Sequence, residues 1–163
     1  MIALLQRVNS GSVSVNSEII SHIYKGLVVF LGVFDGDSFE DAKFLAEKTA
    51  NLRIFDDSEG IMNLSLLDCG GEALCVSQFT LCANARKGRR PSFSYAMPPE
   101  PAEKLYNSFC EELALIGITT QKGLFGAHML VDIKNDGPVT IILNSKETRR
   151  GNLKNNSSAK EGR

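Results

Sequence analysis

The sequence predicts an α/β fold in a single domain, with substantial antiparallel pairing between its strands. Short segments in which apolar residues alternate with polar ones, or follow one another without interruption, indicate strands. Two longer segments repeat apolar residues at helical spacing and indicate two main helices. The chain has 163 residues, of which 43% are hydrophobic and 23% are charged, and these values are typical of one globular domain with a sizeable core.

The first predicted elements are four successive strands with short connections. They cover residues 2–8, 12–15, 19–24 and 27–31. The second of them, Ser12-Val13-Ser14-Val15, alternates strictly, as a strand with one buried face does. The fourth, Leu27-Val28-Val29-Phe30-Leu31, is wholly apolar, which predicts a central strand buried on both faces.

Two helices are predicted from apolar residues that recur at helical spacing. Ser38 and Asp41 form a capping-box pattern ahead of an apolar stripe at Ala42, Leu45, Ala46, Thr49 and Leu52. The second helix follows the proline-rich segment 98–101 and ends near Gly117. Its stripe consists of Ala102, Leu105, Tyr106, Phe109 and Leu113. Both stripes are predicted to cover the sheet and form the core.

Three further strands are predicted at residues 73–76, 129–133 and 141–143. Beyond Leu143 the chain becomes polar and has little to bury. We therefore expect a domain at residues 1–148 and a polar, flexible C-terminal tail at residues 149–163.

Several functional classes are disfavoured by what the sequence lacks. It contains neither a signal-peptide pattern nor an apolar run of membrane-spanning length, so we expect no membrane association and a cytoplasmic location. The four cysteines are irregularly spaced, which favours reduced structural thiols. His22 and His128 are far apart and no metal-binding motif is present, so we expect neither a metal nor another cofactor. We expect His128 to pack or cap.

Two polar segments next to predicted strands are candidate functional sites. Ser77-Gln78-Phe79-Thr80 closes the strand at residues 73–76, and strand ends commonly carry functional groups. Asn135-Asp136-Gly137-Pro138-Val139-Thr140 places a Gly-Pro pair at the entrance to the strand at residues 141–143. Such a pair can direct rigid carbonyl groups outward, although the same residues also suit a plain hairpin turn.

Together the two segments resemble the signature motifs of the D-aminoacyl-tRNA deacylases, homodimeric enzymes that cleave D-amino acids from tRNA. The resemblance covers most of the chain. Its further matches are Leu5-Gln6-Arg7-Val8, Leu52-Arg53-Ile54-Phe55, Met62-Asn63-Leu64-Ser65, Lys87-Gly88-Arg89-Arg90-Pro91-Ser92-Phe93 and Gly123-Leu124-Phe125-Gly126-Ala127-His128-Met129. It implies the family's fold: curved, largely antiparallel, barrel-like sheets covered by two main helices.

The resemblance also implies a substrate and a means of selecting it. The substrate would be tRNA charged with a D-amino acid, cleaved at the ester bond. In the family a cis Gly-Pro unit, which corresponds to Gly137-Pro138, reaches from one subunit into the site of the other. A rigid wall where the L side chain must lie would reject every L-aminoacyl ester, whereas a D side chain points away from it. Glycine has no side chain, so glycyl-tRNA is a predicted additional substrate.

Catalysis is expected to depend mainly on backbone groups. Amide N–H groups that stabilise a developing oxyanion leave no side-chain signature, and those of Phe79 and Thr80 follow a strand end. Gln78 is expected to help hold the substrate and Ser77 to order the strand end, while a ribose hydroxyl of the tRNA could position the attacking water. A rival hypothesis makes the Thr80 hydroxyl a nucleophile that forms an acyl-enzyme.

The remaining candidates concern binding of the tRNA. Phe125 and Met129 match family positions associated with the terminal adenine, with core packing as the alternative. Arg7 is grouped with them by resemblance and would brace the Gly-Pro segment, unless it is a surface residue. The loop residues Arg86, Lys87, Arg89 and Arg90 form either a phosphate-contacting patch or a solvated loop. Family members commonly carry Asn where Arg89 stands.

Two alternative functions remain open from the sequence. One is an editing domain that removes a mischarged L-amino acid from tRNA, since a similar fold serves that purpose in some synthetase appendages. The other is a non-catalytic tRNA-binding module, for which the basic loop would suffice.

Overall fold

The computed structural model describes residues 1–147. It consists of a six-stranded sheet, a small two-stranded sheet and two long helices. The strands are β1 (Ile2–Val15), β2 (Glu18–Ile23), β3 (Gly26–Gly32), β4 (Phe55–Asp56), β5 (Met62–Leu64), β6 (Glu72–Ser77), β7 (Thr119–Lys122) and β8 (Leu130–Asn144). The helices are α1 (Phe39–Asn51) and α2 (Pro99–Ile116), with a short 3₁₀ helix at Phe79–Cys82. The predicted tail at residues 149–163 lies outside the described residues.

The first strand is longer than predicted. The segments 2–8 and 12–15 belong to one strand, β1, so the prediction of a break between them is wrong. Residues 2–8 pair with β3 and residues 11–15 with β2, both antiparallel, while β8 runs along most of the opposite edge. The pairing with β8 shifts register near Val8 and Ser10. Such bulges bend a strand without ending it, which allows β1 to serve two partners.

β3 is central and buried, as predicted. It pairs antiparallel with β1 and parallel with β6, and β6 pairs parallel with β7. Leu27 and Val29 face a core shared with α1 and α2, whereas Val28 belongs to a second core on the other face, with Val8, Val13, Ile23, Leu74 and Val76. The sheet curves around this second core and brings β2 towards β6 and β7. The fold is thus the barrel-like α/β domain that the sequence predicts.

Both predicted helices are confirmed, with the predicted start of α1 at Ser38 and the predicted end of α2 at Gly117, while Leu52 of the predicted stripe lies just beyond α1. The backbone N–H of Ser38 donates to the Asp41 carboxylate at 3.0 Å and completes the capping box of α1. α2 ends at Gly117, whose φ of 109° is left-handed and whose N–H donates to the last turn. The helices pack against each other and against the same sheet face.

The Gly-Pro segment lies inside a strand and is not a hairpin turn. β8 continues through it from Leu130 to Asn144. Asn135 pairs with Val8 and Thr140 pairs with Gln6, so the four residues 136–139 lie opposite Arg7 alone. The four residues therefore form a large bulge on β8. The peptide bond between Gly137 and Pro138 is cis, and Gly137 has a φ of 112°.

Candidate active site

A cavity of about 600 Å³ opens at the end of β6. Its size is that of a small-molecule site. Its walls are formed by the end of β6, the turn before α2, the first turns of α2 and the segment between β7 and β8. The lining residues include Ser77, Gln78, Phe79, Phe93, Met97, Pro98, Tyr106, Phe125, His128 and Met129. Five of the predicted site residues, Ser77, Gln78, Phe79, Phe125 and Met129, therefore lie at one cavity.

The strand end places backbone donors beside this cavity. Ser77 is the last residue of β6, and the N–H of Gln78 still donates to the Leu31 carbonyl at 2.9 Å. The 3₁₀ helix then begins at Phe79. Since the first N–H groups of a helix have no acceptor within it, those of Phe79 and Thr80 are unpaired within residues 1–147. Two adjacent unpaired N–H groups are suited to bind an oxyanion.

The side chains of this segment hold one another. The amide nitrogen of Gln78 donates a hydrogen bond to the Thr80 hydroxyl. Thr80 is exposed and does not line the cavity, although it follows Phe79 directly. A nucleophilic hydroxyl needs a neighbouring base to take its proton, and the amide nitrogen of Gln78 is a donor. The contact therefore orders the segment and brings no proton acceptor to Thr80.

The cavity walls are mainly aromatic and apolar. The Phe79 and Phe93 rings meet edge to face with centroids 5.1 Å apart, and the Phe125 ring lies 5.7 Å from that of Tyr106. Phe125 and Met129 are half-buried, and each both packs on a core and lines the cavity. The sequence allowed either core packing or contact with the terminal adenine for these residues. The two are compatible, because each side chain packs on a core and also lines the cavity.

Tyr106 is a structural wall of the cavity. Its hydroxyl donates to the Cys75 carbonyl at 2.9 Å. Burial, reinforced by Cys110 and Cys75, raises the pKa of Tyr106 far above its ordinary value. The hydrogen bond to Cys110, together with burial, also raises the pKa of Cys75. Tyr106 and Cys75 therefore stay neutral at ordinary pH, so Tyr106 supplies no base and Cys75 supplies no thiolate.

The structure corrects the reading of His128. This residue is exposed and lines the cavity, whereas the sequence analysis expected it to pack or cap. Sequence reasoning also missed Phe93 and Tyr106 as cavity residues. His128 and Phe93 both lie within motifs that match the family, and this match was the signal that could have identified them as cavity residues. Tyr106 lies in a helical stripe that indicated only core packing.

Arg7 is buried, with 6% of its surface exposed, and it holds the Gly-Pro bulge. Its Nε donates to the Asp136 carbonyl at 3.3 Å and lies 3.2 Å from the Asp136 carboxylate. Its Nη1 donates to the Ile54 carbonyl at 2.9 Å and to Asp56 at 3.2 Å. A Cβ added to Gly137 would lie 2.9 Å from the guanidinium. Arg7 is therefore a clamp on the bulge and not a surface residue.

The bulge is separate from the cavity within one chain. Neither Gly137 nor Pro138 lines the cavity at the end of β6, and Arg7 does not line it either. Adjacent Asn135 secures the base of the bulge, since its side-chain amide donates to the carbonyls of Arg7 and Val139. The bulge is thus held by Arg7 and Asn135 and does not line the cavity of its own chain.

The four basic residues Arg86, Lys87, Arg89 and Arg90 lie in an exposed loop. The loop is closed at its base by paired backbone hydrogen bonds between Asn84 and Ser92, at 2.8 and 2.9 Å. None of the four forms an ion pair within the described chain. The loop therefore presents uncompensated positive charge.

The described residues also bear on metal and membrane binding. Among residues 1–147, His, Cys, Asp and Glu side chains do not gather in groups of three or more that could hold a metal ion. None of the helices in this part of the chain is long and apolar enough to cross a membrane.

The family model described as D-Tyr-tRNA(Tyr) deacylase matches residues 4–144. A D-aminoacyl-tRNA deacylase of Thermodesulfovibrio yellowstonii is 53% identical over 146 residues, which are 90% of this chain and all of that protein. A protein of the same name from Roseiflexus sp. (strain RS-1) is 57% identical over 145 residues, which are 89% of this chain and 94% of that protein.

Two solved structures are similar to the whole domain. One, titled c-Myc DNA Unwinding Element Binding Protein, has a TM-score of 0.84 and 45% identity, and covers 88% of this chain and 98% of its own. The other, a probable eukaryotic D-amino acid tRNA deacylase, has a TM-score of 0.75 and 20% identity, with 87% and 97% coverage, and shows the shared fold.

Proposed function

The chain belongs to the D-Tyr-tRNA(Tyr) deacylase family, and from that membership we propose that the cavity at the end of β6 is the active site of a D-aminoacyl-tRNA deacylase. The enzyme hydrolyses the ester of a D-aminoacyl-tRNA and releases the free D-amino acid and the tRNA. The observation that carries the proposal is the pair of unpaired N–H groups at Phe79 and Thr80, beside an apolar cavity of suitable size.

Catalysis then proceeds mainly through the backbone. Attack of water on the ester carbonyl places negative charge on the carbonyl oxygen, and the N–H groups of Phe79 and Thr80 stabilise that charge. The neighbouring ribose hydroxyl of the tRNA positions the water, so the substrate supplies a group that the protein lacks. Ser77 and Gln78 hold the segment and the substrate. Phe125 and Met129 contact the terminal adenine, for which an aromatic ring and a thioether are suitable partners.

The Gly-Pro bulge supplies chiral selection from a second copy of the chain. The bulge is rigid and does not reach the cavity of its own chain, which supports a role in the cavity of a partner. β8 supports pairing of two copies as well. Among the described strands it pairs with β1 alone, so one of its edges is free. Leu130 and Ile142 on it are 66% and 62% exposed. Exposed apolar residues on a free edge favour an interface.

The wall rejects an L side chain by occupying its position, and it makes no contact that a D side chain needs. Gly137 and Pro138 contribute backbone and a fixed ring, both of which yield little to a colliding atom. Glycyl-tRNA has no side chain to collide and is accepted. The basic loop at residues 86–90 contacts tRNA phosphates, because its unpaired positive charges attract them.

The proposal predicts which of three aminoacyl-tRNAs the protein hydrolyses. At catalytic amounts of protein, D-tyrosyl-tRNA and glycyl-tRNA are expected to lose their amino acid over many turnovers, while L-tyrosyl-tRNA stays intact. Release of labelled amino acid measures all three reactions side by side. Cleavage of the L ester alone would indicate the editing domain, and protection of all three esters would indicate a binding module. Cleavage of both tyrosyl esters, or rejection of glycyl-tRNA, would contradict the wall.

The side chains of Thr80 and His128 are expected to be dispensable for chemistry. Thr80→Ala keeps the backbone N–H, and His128→Ala removes the imidazole at the cavity, so each should retain kcat within about fivefold. Single-turnover hydrolysis of D-tyrosyl-tRNA measures the step directly. A general base contributes about 10²- to 10⁴-fold. A loss of that size in either folded variant would assign the base to His128 or the nucleophile to Thr80.

A further inference from the structure

A second cavity, of about 580 Å³, is formed by segments that neighbour those of the candidate active site along the chain. It is lined by Phe34, Cys82, Ala83, Asn84, Ala85, Arg86 and Tyr95. The segments that line it continue directly from those of the first cavity. Phe79 lines the first cavity and Cys82 the second, and likewise Phe93 lines the first and Tyr95 the second.

One turn carries residues of both cavities, since Phe93 and Ala96 line the first cavity and Tyr95 lines the second. The N–H of Ala96 donates to the Phe93 carbonyl at 3.0 Å and closes the turn. The turn is fastened to the end of the sheet, because the N–H of Asp35 donates to the Tyr95 carbonyl at 2.9 Å and the N–H of Met97 to the Val33 carbonyl at 3.0 Å. The turn therefore holds Phe93 at the first cavity and Tyr95 at the second.

The residues of the second cavity suit a nucleotide. Tyr95 is 55% exposed, so an aromatic face is available for stacking. Arg86 contributes a guanidinium without an ion-pair partner in the described chain. Asn84 uses its side-chain oxygen to accept from the N–H of Arg86 at 3.1 Å, and its amide nitrogen has no acceptor within residues 1–147. An aromatic face, a cation and a free amide donor bind a base and its phosphate.

We propose that the second cavity binds the nucleotide that precedes the terminal adenosine in the single-stranded 3′ end of tRNA. Its base stacks on Tyr95, and its phosphate contacts Arg86. This inference rests on the proposed function, which puts the terminal adenosine in the first cavity. A nucleic-acid strand that leaves the first cavity along the turn from Phe93 to Tyr95 meets the second cavity next. The exposed basic loop at residues 86–90 then lies along its further course.

Binding can be tested without the reaction. The chain has no tryptophan, so Tyr95→Trp introduces a single indole that keeps an aromatic face in the second cavity. The trinucleotide cytidyl-cytidyl-adenosine, which ends every mature tRNA, is expected to quench this indole, while adenosine alone is not. Arg86→Ala in the same background should weaken binding of the trinucleotide about fivefold or more. Equal quenching by both ligands, or by neither, would overturn the proposal.

Kinetics give a second, independent readout. Tyr95→Ala is expected to lower kcat/KM for D-tyrosyl-tRNA about tenfold and to leave hydrolysis of 3′-D-tyrosyl-adenosine unchanged, since only the former reaches the second cavity. Tyr95→Phe should restore the tRNA rate, and Tyr24→Ala, at an exposed tyrosine that lines neither cavity, should not alter it. An unchanged rate of Tyr95→Ala on tRNA would refute the inference. An inactive wild type whose indole variant is nonetheless quenched by the trinucleotide would refute only the proposed function.

Discussion

Replacement of Phe79 by proline is expected to lower kcat for D-tyrosyl-tRNA about 10²- to 10³-fold in a protein that remains folded. Proline lacks the amide hydrogen, so the variant loses one oxyanion donor, and this is the usual size of that loss. The position tolerates proline, because Phe79 is the first residue of a 3₁₀ helix, where the N–H has no acceptor within the helix. Gln78 before it has φ −144° and ψ 78°, outside the α region that a following proline disfavours.

The matched control for this variant is Phe79→Ala. It removes the same aromatic ring, including the contact with Phe93, and keeps the N–H. Single-turnover rates of the two variants therefore separate the ring from the amide. Thermal unfolding of both should be close to that of the wild type because the side chain is exposed. Equal activity of the proline and alanine variants would show that the Phe79 amide takes no part in the reaction.

Replacement of Arg7 by alanine is expected to lower the free energy of unfolding by about 2–4 kcal/mol. The variant leaves the buried Ile54 carbonyl without its donor and removes the clamp from the Asp136 backbone. The two carboxylates contribute less, since Asp56 and Asp136 are 47% and 37% exposed. Denaturant titration measures the loss.

The same variant is expected to cleave L-tyrosyl-tRNA, because a bulge without its clamp no longer holds the Gly-Pro wall in place. We expect the ratio of D to L hydrolysis to fall at least about tenfold, which corresponds to roughly 1.4 kcal/mol of discrimination. Arg53→Ala is the control, since Arg53 is exposed and donates to the Asn63 carbonyl away from the bulge. If Arg7→Ala is too unstable to assay, Asp136→Asn removes the carboxylate charge next to Nε, keeps the backbone hydrogen bond, and should lower the ratio of D to L hydrolysis by a smaller factor.

Mixed dimers decide which chain supplies the wall. A protomer with Phe79→Pro has an intact wall and an impaired site, whereas one with Arg7→Ala has an intact site and a loosened wall. If the wall acts across the interface, the intact site of the mixed dimer faces the intact wall, and rejection of L-tyrosyl-tRNA returns. If it acts within one chain, the mixture keeps the L activity of the Arg7→Ala protomers, and the cross-subunit proposal fails.

The strands show where sequence patterns lose information. Residues 2–8 and 12–15 read as two strands because Asn9, Ser10 and Gly11 between them interrupt the apolar pattern. In the fold these residues continue β1 and change partners there. A plain turn was one of the two readings of the Asn-Asp-Gly-Pro segment, because its residue types suit a turn. A bulge and a turn use the same residue types, and only the pairing on both sides distinguishes them.

The sequence also did not predict which strands pair in parallel. Local alternation indicates a strand but not the direction of its neighbour, and β6 joins β3 and β7 through connections that contain the helices. The wholly apolar pattern of β3 was nevertheless sufficient to predict its central position, because it reflects burial on both faces.

The sequence by itself determined the elements that local chemistry specifies: the capping box and glycine end of the helices, the buried strand β3, and the two polar segments at strand ends. It also carried the ordered motifs that indicate the family. The tertiary structure alone decided which residues share a site. In the structure Arg7 is buried against the Gly-Pro bulge, and His128 lines the cavity. Phe93 and Tyr95 lie in one turn and line different cavities. Gly137 and Pro138 do not line the cavity of their own chain. Spacing along the chain encodes conformation over a few residues, whereas a site is assembled from segments whose distances are set by packing of the whole domain.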